Sequence, residues 1–175
     1  FGEVHSQFAQ ALVAAHGGRE GLDSVTGLPG EDELGQELEH LVATGEGGSR
    51  PFAVLELDID GLRHLNAAAG EEAGDRLLRD LADGARQALG GRVFRRGGDE
   101  LVAVVPGADA TTAADLASRL STGTRGDGVS IGVAAWPDHA REPWDLLERA
   151  REATYVAKAS GEGVALPVAS LLQRR

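Results

Sequence analysis

At 175 residues the chain has the length of one ordinary domain, and its 42% apolar content fits a globular protein with a buried core. A net charge of −11 argues against a nucleic-acid polymer as partner, because its phosphates demand a basic face; a single nucleotide with a divalent cation beside it remains compatible. No segment approaches the roughly 20 apolar residues of a membrane span, so no membrane contact is expected of this segment. No signal peptide is visible and there is no cysteine, both compatible with a cytoplasmic location.

Phe1 stands where a start Met would, and no Met occurs anywhere, so the chain is expected to be a fragment of something longer. Val4, Phe8, Leu12 and Ala15 recur at helical spacing, which predicts a helix over 3–16, either docked on its own domain or the end of a signalling helix. A second helix is predicted from Glu31 to Ala43, with Leu34, Leu38, Leu41 and Val42 on one stripe and three acidic residues at its positive end. Phe52 to Asp60 alternates as a strand: Ala53, Leu55, Leu57 and Ile59 on one face, Val54, Glu56, Asp58 and Asp60 on the other. A short helix over 61–68 and a longer one from Ala73 to Leu89 follow, the latter with Leu77, Leu78, Leu81, Ala85 and Ala88 inward. Val93 to Val105 reads as a hairpin, and Asp109 to Leu120 as a helix. Val129 to Ala135 reads as a strand, and Pro143 to Ala159 as a helix aligning Trp144, Leu147, Ala150, Thr154 and Ala157. Val164 to Leu166 closes the sheet, giving an α/β (α+β) sandwich around a mainly antiparallel sheet.

The chemistry concentrates at two places. The hairpin tip, Gly97-Gly98-Asp99-Glu100, combines glycines that let a bulky ligand approach with carboxylates that suit a hard cation such as Mg²⁺. Asp58-Ile59-Asp60 delivers further carboxylates at the end of a strand. Two acidic clusters on separate strands are the usual way to hold divalent ions about 3.5 to 4 Å apart for phosphoryl or nucleotidyl transfer. The five His residues are scattered without ligand spacing and read as surface or packing residues. Arg125-Gly126-Asp127 reads as a solvated turn.

Gly97-Gly98-Asp99-Glu100-Leu101 resembles the signature loop of the GGDEF family, the diguanylate cyclases, with Leu101 for the usual final Phe. The resemblance extends in order through Asp23-Ser24-Val25-Thr26-Gly27-Leu28-Pro29, Asp58-Ile59-Asp60, Asn66, Gly70 to Asp75, Val129 to Ala134 and Tyr155-Val156-Ala157-Lys158. It implies the ferredoxin-like palm of nucleotide cyclases over 22–166, with 1–21 as a linker or signalling helix from an upstream sensor and 167–175 as a tail. It also implies condensation of two GTP into cyclic di-GMP by a homodimer, with Mg²⁺ or Mn²⁺. Asp58, the Ile59 carbonyl and Asp99 would hold the metal, and Glu100 would activate the 3′-hydroxyl as base or through metal contact. Asp60 would steady the turn, and a capping or strand-end role is the alternative for Asp58. Gly97 and Gly98 would lie against the α-phosphate, and Arg63 and Lys158 would meet the other phosphates. Asn66 and Asp75 fall at the guanine-reading positions; a carboxylate beside an amide matches guanine's N1–H and N2–H donors and O6 acceptor. A turn role for Asn66 and a helix cap for Asp75 are the alternatives.

The chain also departs from the family pattern. Glu162 stands where the family has a phosphate-binding Arg, which with Leu101 leaves open a catalytically inactive nucleotide-binding or regulatory module. Gly30, Glu31 and Glu71 replace residues usual in the family and read as drift. The R-x-x-D motif of the product-inhibition site is replaced by Ala88 and Gly91, so feedback through that site is expected to be lost, while Arg95 remains and could still contact a partner domain or product weakly.

Overall fold

A computed structural model describes residues 21–44, 50–123 and 128–167. In chain order the elements are α1 (Glu31–Thr44), β1 (Phe52–Ile59), α2 (Leu62–Ala69), α3 (Glu71–Leu89), β2 (Arg92–Gly97), β3 (Glu100–Pro106), α4 (Ala110–Gly123), β4 (Val129–Trp136), α5 (Pro143–Ser160) and β5 (Val164–Ala165). The predicted helix over 3–16, the Arg125-Gly126-Asp127 turn and residues 168–175 of the tail lie outside the described residues.

The strands form one sheet in the order β2-β3-β1-β4-β5. β1 runs antiparallel to both β3 and β4, and only β5 pairs in parallel, with β4. Both faces of β1 are covered, so its alternation separates two cores rather than core from solvent. Ala53, Leu55, Leu57 and Ile59 pack with Leu78, Leu81 and Ala85 of α3 and Ala113 and Ala117 of α4. Phe52 and Val54 pack with Leu34 and Leu38 of α1 and Leu146, Leu147 and Ala150 of α5. The result is a helix–sheet–helix sandwich whose central strand runs out at the paired carboxylates.

Gly132 determines how closely α5 lies on the sheet. A Cβ there would come within 1.9 Å of the Ala150 carbonyl oxygen and 2.3 Å of the Thr154 nitrogen. α5 can therefore rest directly on β4, with Thr154 donating from Oγ1 to the Glu56 carbonyl at 3.3 Å.

Expectations for two helices and one strand need correction. Trp144 is 46% exposed, with one edge of its ring against Gly35; Leu146 and Ala153 take the inward positions. α3 starts at Glu71, two residues before the predicted start, and it turns Leu89 inward while Ala88 is exposed. Leu166 lies beyond β5 and is 40% exposed.

Candidate functional site

Strand register brings the expected residues to one lip of the sheet. Asp58 stands opposite Glu100 on β3 and opposite Ser130 on β4, so the first expected metal ligand and the expected base are cross-strand neighbours. Between β2 and β3, the tip is made by Gly97 at φ 134° and Gly98 at φ 51°, backbone that favours glycine, and a Cβ on either would meet nothing within 4 Å. That open space above the tip leaves room for a ligand beside Asp99 and Glu100.

The electrostatics of the lip fit a cation. Burial raises the pKa of Asp58; Lys158 counteracts this in part, and the charges of Asp99 and Asp60 push it higher still. The Lys158 ammonium lies 2.7 Å from Asp58 Oδ1, yet that buried oxygen has no aligned hydrogen-bond donor. For Lys158 burial works against the charge, but the close contact with Asp58 and the fields of Asp58, Asp60 and Asp99 outweigh it and raise its pKa. The ammonium thus stands in for part of the positive charge that this acidic lip calls for. Among the described residues no three His, Cys, Asp or Glu side chains form a metal cluster. The expected donor set is smaller: two carboxylates and the Ile59 carbonyl.

Asp60 does not share the Lys158 contact; it accepts from Ser130 Oγ at 2.9 and 3.0 Å, and its N–H donates to the Gly128 carbonyl at 2.8 Å. These bonds tie the end of β1 to β4, in keeping with a turn-steadying role. Asp58 is no helix cap, since α2 starts after Gly61, without a side-chain cap bond.

Asn66 packs on Gly74, the residue that precedes Asp75 on α3. α2 and α3 meet at Gly70, whose N–H donates to the Asn66 carbonyl at 2.9 Å. A Cβ on Gly74 would fall 2.0 Å from Asn66 Oδ1, so glycine there lets the Asn66 amide lie against α3. Asn66 Oδ1 is buried and lacks a hydrogen-bond partner. Asp75 is one turn inside a helix whose cap is Gly70, which removes the capping alternative; its ion-pair partner is Arg79 at 3.8 Å. Arg63 is exposed on the first turn of α2. Glu162 is exposed in the turn after α5, its N–H donating to Ser160 Oγ at 3.3 Å.

Arg95 is engaged within the domain. Its guanidinium donates to the Gly98 carbonyl and meets Asp23 Oδ1 at 3.2 Å, while its N–H donates to the Pro29 carbonyl at 2.8 Å. Asp23 also accepts from the Thr26 N–H and hydroxyl at 2.7 and 2.6 Å. Burial opposes ionisation of Asp23, but these bonds and Arg95 prevail and lower its pKa. The segment before α1 thereby braces the hairpin. At the product-inhibition position, a Cβ on Gly91 would sit 2.1 Å from the Val104 carbonyl oxygen, so the backbone excludes an Asp there as well as lacking one.

Sequence reasoning missed a second charged layer beneath the lip. Glu56 is 2% exposed, and burial first, then the charge of Glu100, raises its pKa to about 7 against the pull of Arg96 and Arg151. Arg96 Nη1 is 3.8 Å from Glu56, and Arg151 Nη2 is 3.9 Å from Glu100. The available signal was a carboxylate inside an otherwise apolar run, with an unexplained arginine on the hairpin.

A helix-flanked sheet whose acidic strand ends meet beside a glycine tip has the palm arrangement of the nucleotide cyclases. The family model described as "Diguanylate cyclase, GGDEF domain" matches residues 21–163, and the chain belongs to that family. It is 36% identical over 155 residues to the diguanylate cyclase TpbB of Pseudomonas aeruginosa, covering 81% of this chain and 36% of that protein. A Mycobacterium tuberculosis protein without an assigned activity is 36% identical over 180 residues, covering 93% of this chain and 28% of its own length. The chain therefore spans about a third of the curated relatives it matches. The solved GGDEF domain of TpbB superposes with a TM-score of 0.76 at 30% identity, covering 84% of this chain and 94% of that one.

Proposed function

We propose that this domain, residues 22–166, is an active diguanylate cyclase: two GTP condense to cyclic di-GMP with release of two pyrophosphates. Residues 1–21 would be a linker or signalling helix from an upstream sensor and 167–175 a tail, with the protein working in the cytoplasm, where GTP is supplied. One observation carries the reading: Asp58 and Glu100 are cross-strand partners at a lip acidic enough to hold the Lys158 ammonium at 2.7 Å.

In each half-reaction a 3′-hydroxyl oxygen attacks the other nucleotide's α-phosphorus. The new P–O bond forms as the bond to pyrophosphate breaks, and the hydroxyl proton passes toward Glu100. With one GTP per domain, two domains must face each other, so the working species is a homodimer. Asp58, the Ile59 carbonyl and Asp99 would hold Mg²⁺, or Mn²⁺, which when bound neutralises charge on the triphosphate. Gly97 and Gly98 admit the α-phosphate, Arg63 and Lys158 meet the other phosphates, and Asn66 and Asp75 read guanine. Positioning and charge neutralisation carry most of such a reaction.

Glu162 favours a second reading, a nucleotide-binding module without turnover that transmits a signal. Incubating concentrated protein with GTP and Mg²⁺ and identifying products by mass spectrometry separates the two. Cyclic di-GMP with pyrophosphate supports the cyclase, and GTP bound but unconverted supports the module.

A further inference from the structure

The hairpin tip needs outside support, because two adjacent glycines in unusual backbone conformations do little to hold Asp99 and Glu100 in one place. Arg95 anchors the root of the hairpin to Asp23 and the Pro29 carbonyl. Arg96, the next residue, falls where the β2–β3 register shifts between Arg95 and Gly97, a bulge of the kind that re-aims a side chain. Its guanidinium is 15% exposed and meets three carboxylates from three elements: Glu31 of α1 at 3.4 Å, Glu56 of β1 at 3.8 Å and Glu148 of α5 at 3.5 Å. Of these only Glu56 is buried; Glu31 and Glu148 are more than half exposed.

Packing alone does not account for Glu56. It stands opposite Val102 and Gly132, on the face it shares with Val54, where an apolar side chain would bury at no electrostatic cost. Its charged neighbours are Arg96, Glu100, Arg151 and Asp58, the charges of the hairpin, the middle of α5 and the lip. Arg96, Glu56, Arg151 and Glu100 thus alternate in sign across the base of the hairpin.

We infer that Arg96 and Glu56 are a positioning pair for Glu100, holding the hairpin tip so that Glu100 faces the reacting hydroxyl. The inference rests on the role given to Glu100 above. Arg96 fixes the backbone entering Gly97, and Gly97 is the cross-strand partner of Glu100, so tightening one side of the tip tightens the other. Arg151 holds the Glu100 carboxylate from α5.

The test compares the parent with Arg96→Met, Arg96→Lys, Glu56→Gln and the Arg96→Met/Glu56→Gln double variant. Initial rates of cyclic di-GMP formation are measured against GTP, and GTP affinity by calorimetry. Arg96→Met should lower kcat about tenfold, the scale on which small misplacements act, with GTP affinity within about twofold. Arg96→Lys should recover part of the loss, and the double variant should be no worse than Arg96→Met, as for residues acting as a unit. Parent-like kcat in Arg96→Met, a loss that tracks GTP affinity, or additive losses would each overturn the pairing. If the parent itself makes no cyclic di-GMP, the cyclase reading fails and amide hydrogen exchange decides the positioning. Exchange at Asp99 and Glu100 accelerated several-fold in Arg96→Met, with β1 and β4 protection unchanged, sustains it; unchanged tip exchange overturns it.

Discussion

Replacing Glu56 by Gln removes a buried ionisation while keeping the shape of the side chain, and the consequence depends on pH with a definite sign. A carboxyl that titrates near 7 in the folded protein, against 4.5 unfolded, holds its proton more tightly when folded. That extra proton affinity stabilises the fold fully below pH 4.5 and is lost as pH rises through about 7. At about 1.36 kcal/mol per pH unit the whole effect is about 3 kcal/mol. The sequence pI is 4.8, so practical work begins near pH 5.5, where about 2 kcal/mol of the effect remains. Arg96 keeps Glu31 and Glu148 as partners in the variant, so its charge is not stranded.

Urea unfolding of parent and Glu56→Gln between pH 5.5 and 8, without metal or nucleotide, reads this directly. The other titrating groups are common to both proteins and cancel in the difference. The variant should gain about 2 kcal/mol on the parent across that range, a midpoint shift of roughly 1 M urea. A stability difference independent of pH would refute the reasoning, for it would mean that Glu56 stays ionised throughout, compensated by Arg96 and Arg151.

Asp58→Asn should reduce Mg²⁺-dependent cyclic di-GMP formation at least about a hundredfold with its circular dichroism unchanged; parent-like turnover would remove Asp58 from the metal site. Asp75→Ser should raise ATP incorporation relative to GTP in mixed-nucleotide competition, because a carboxylate facing adenine lacks donors to accept; an unchanged product ratio would leave Asp75 only its contact with Arg79. Ala88→Arg/Gly91→Asp should not create submicromolar cyclic di-GMP binding by calorimetry, and Gly91→Asp alone should cost roughly 2 kcal/mol or more in urea unfolding, since the Val104 carbonyl occupies the Cβ position. Glu162→Arg should lower the half-saturating GTP concentration a few-fold at low salt, with the benefit shrinking at high salt; equal GTP affinity would mean that the exposed turn takes no part in phosphate binding.

The sequence made the sheet and its lip legible for reasons that differ from those that hid the layer beneath. Periodicity located β1, β3 and β4 because a strand's side chains repeat every two residues whatever lies on either face. Periodicity is silent on what covers each face, so Glu56, grouped with Asp58 and Asp60, gave no sign that it would be 2% exposed beneath helices α1 and α5. Its partner Arg96 follows from a bulge in the hairpin, a feature of pairing between strands that neither strand encodes alone. Trp144 misled in the opposite sense: its spacing suits the buried stripe of α5, but its ring is only half-covered, lying against Gly35 of α1. The bracing role of Arg95 was hidden because it depends on Asp23, a contact across 72 residues that only the folded chain creates. Long-range ion pairs of this kind set where the hairpin carboxylates stand, so the chemistry of the lip is written in short motifs while its geometry is fixed by residues outside them.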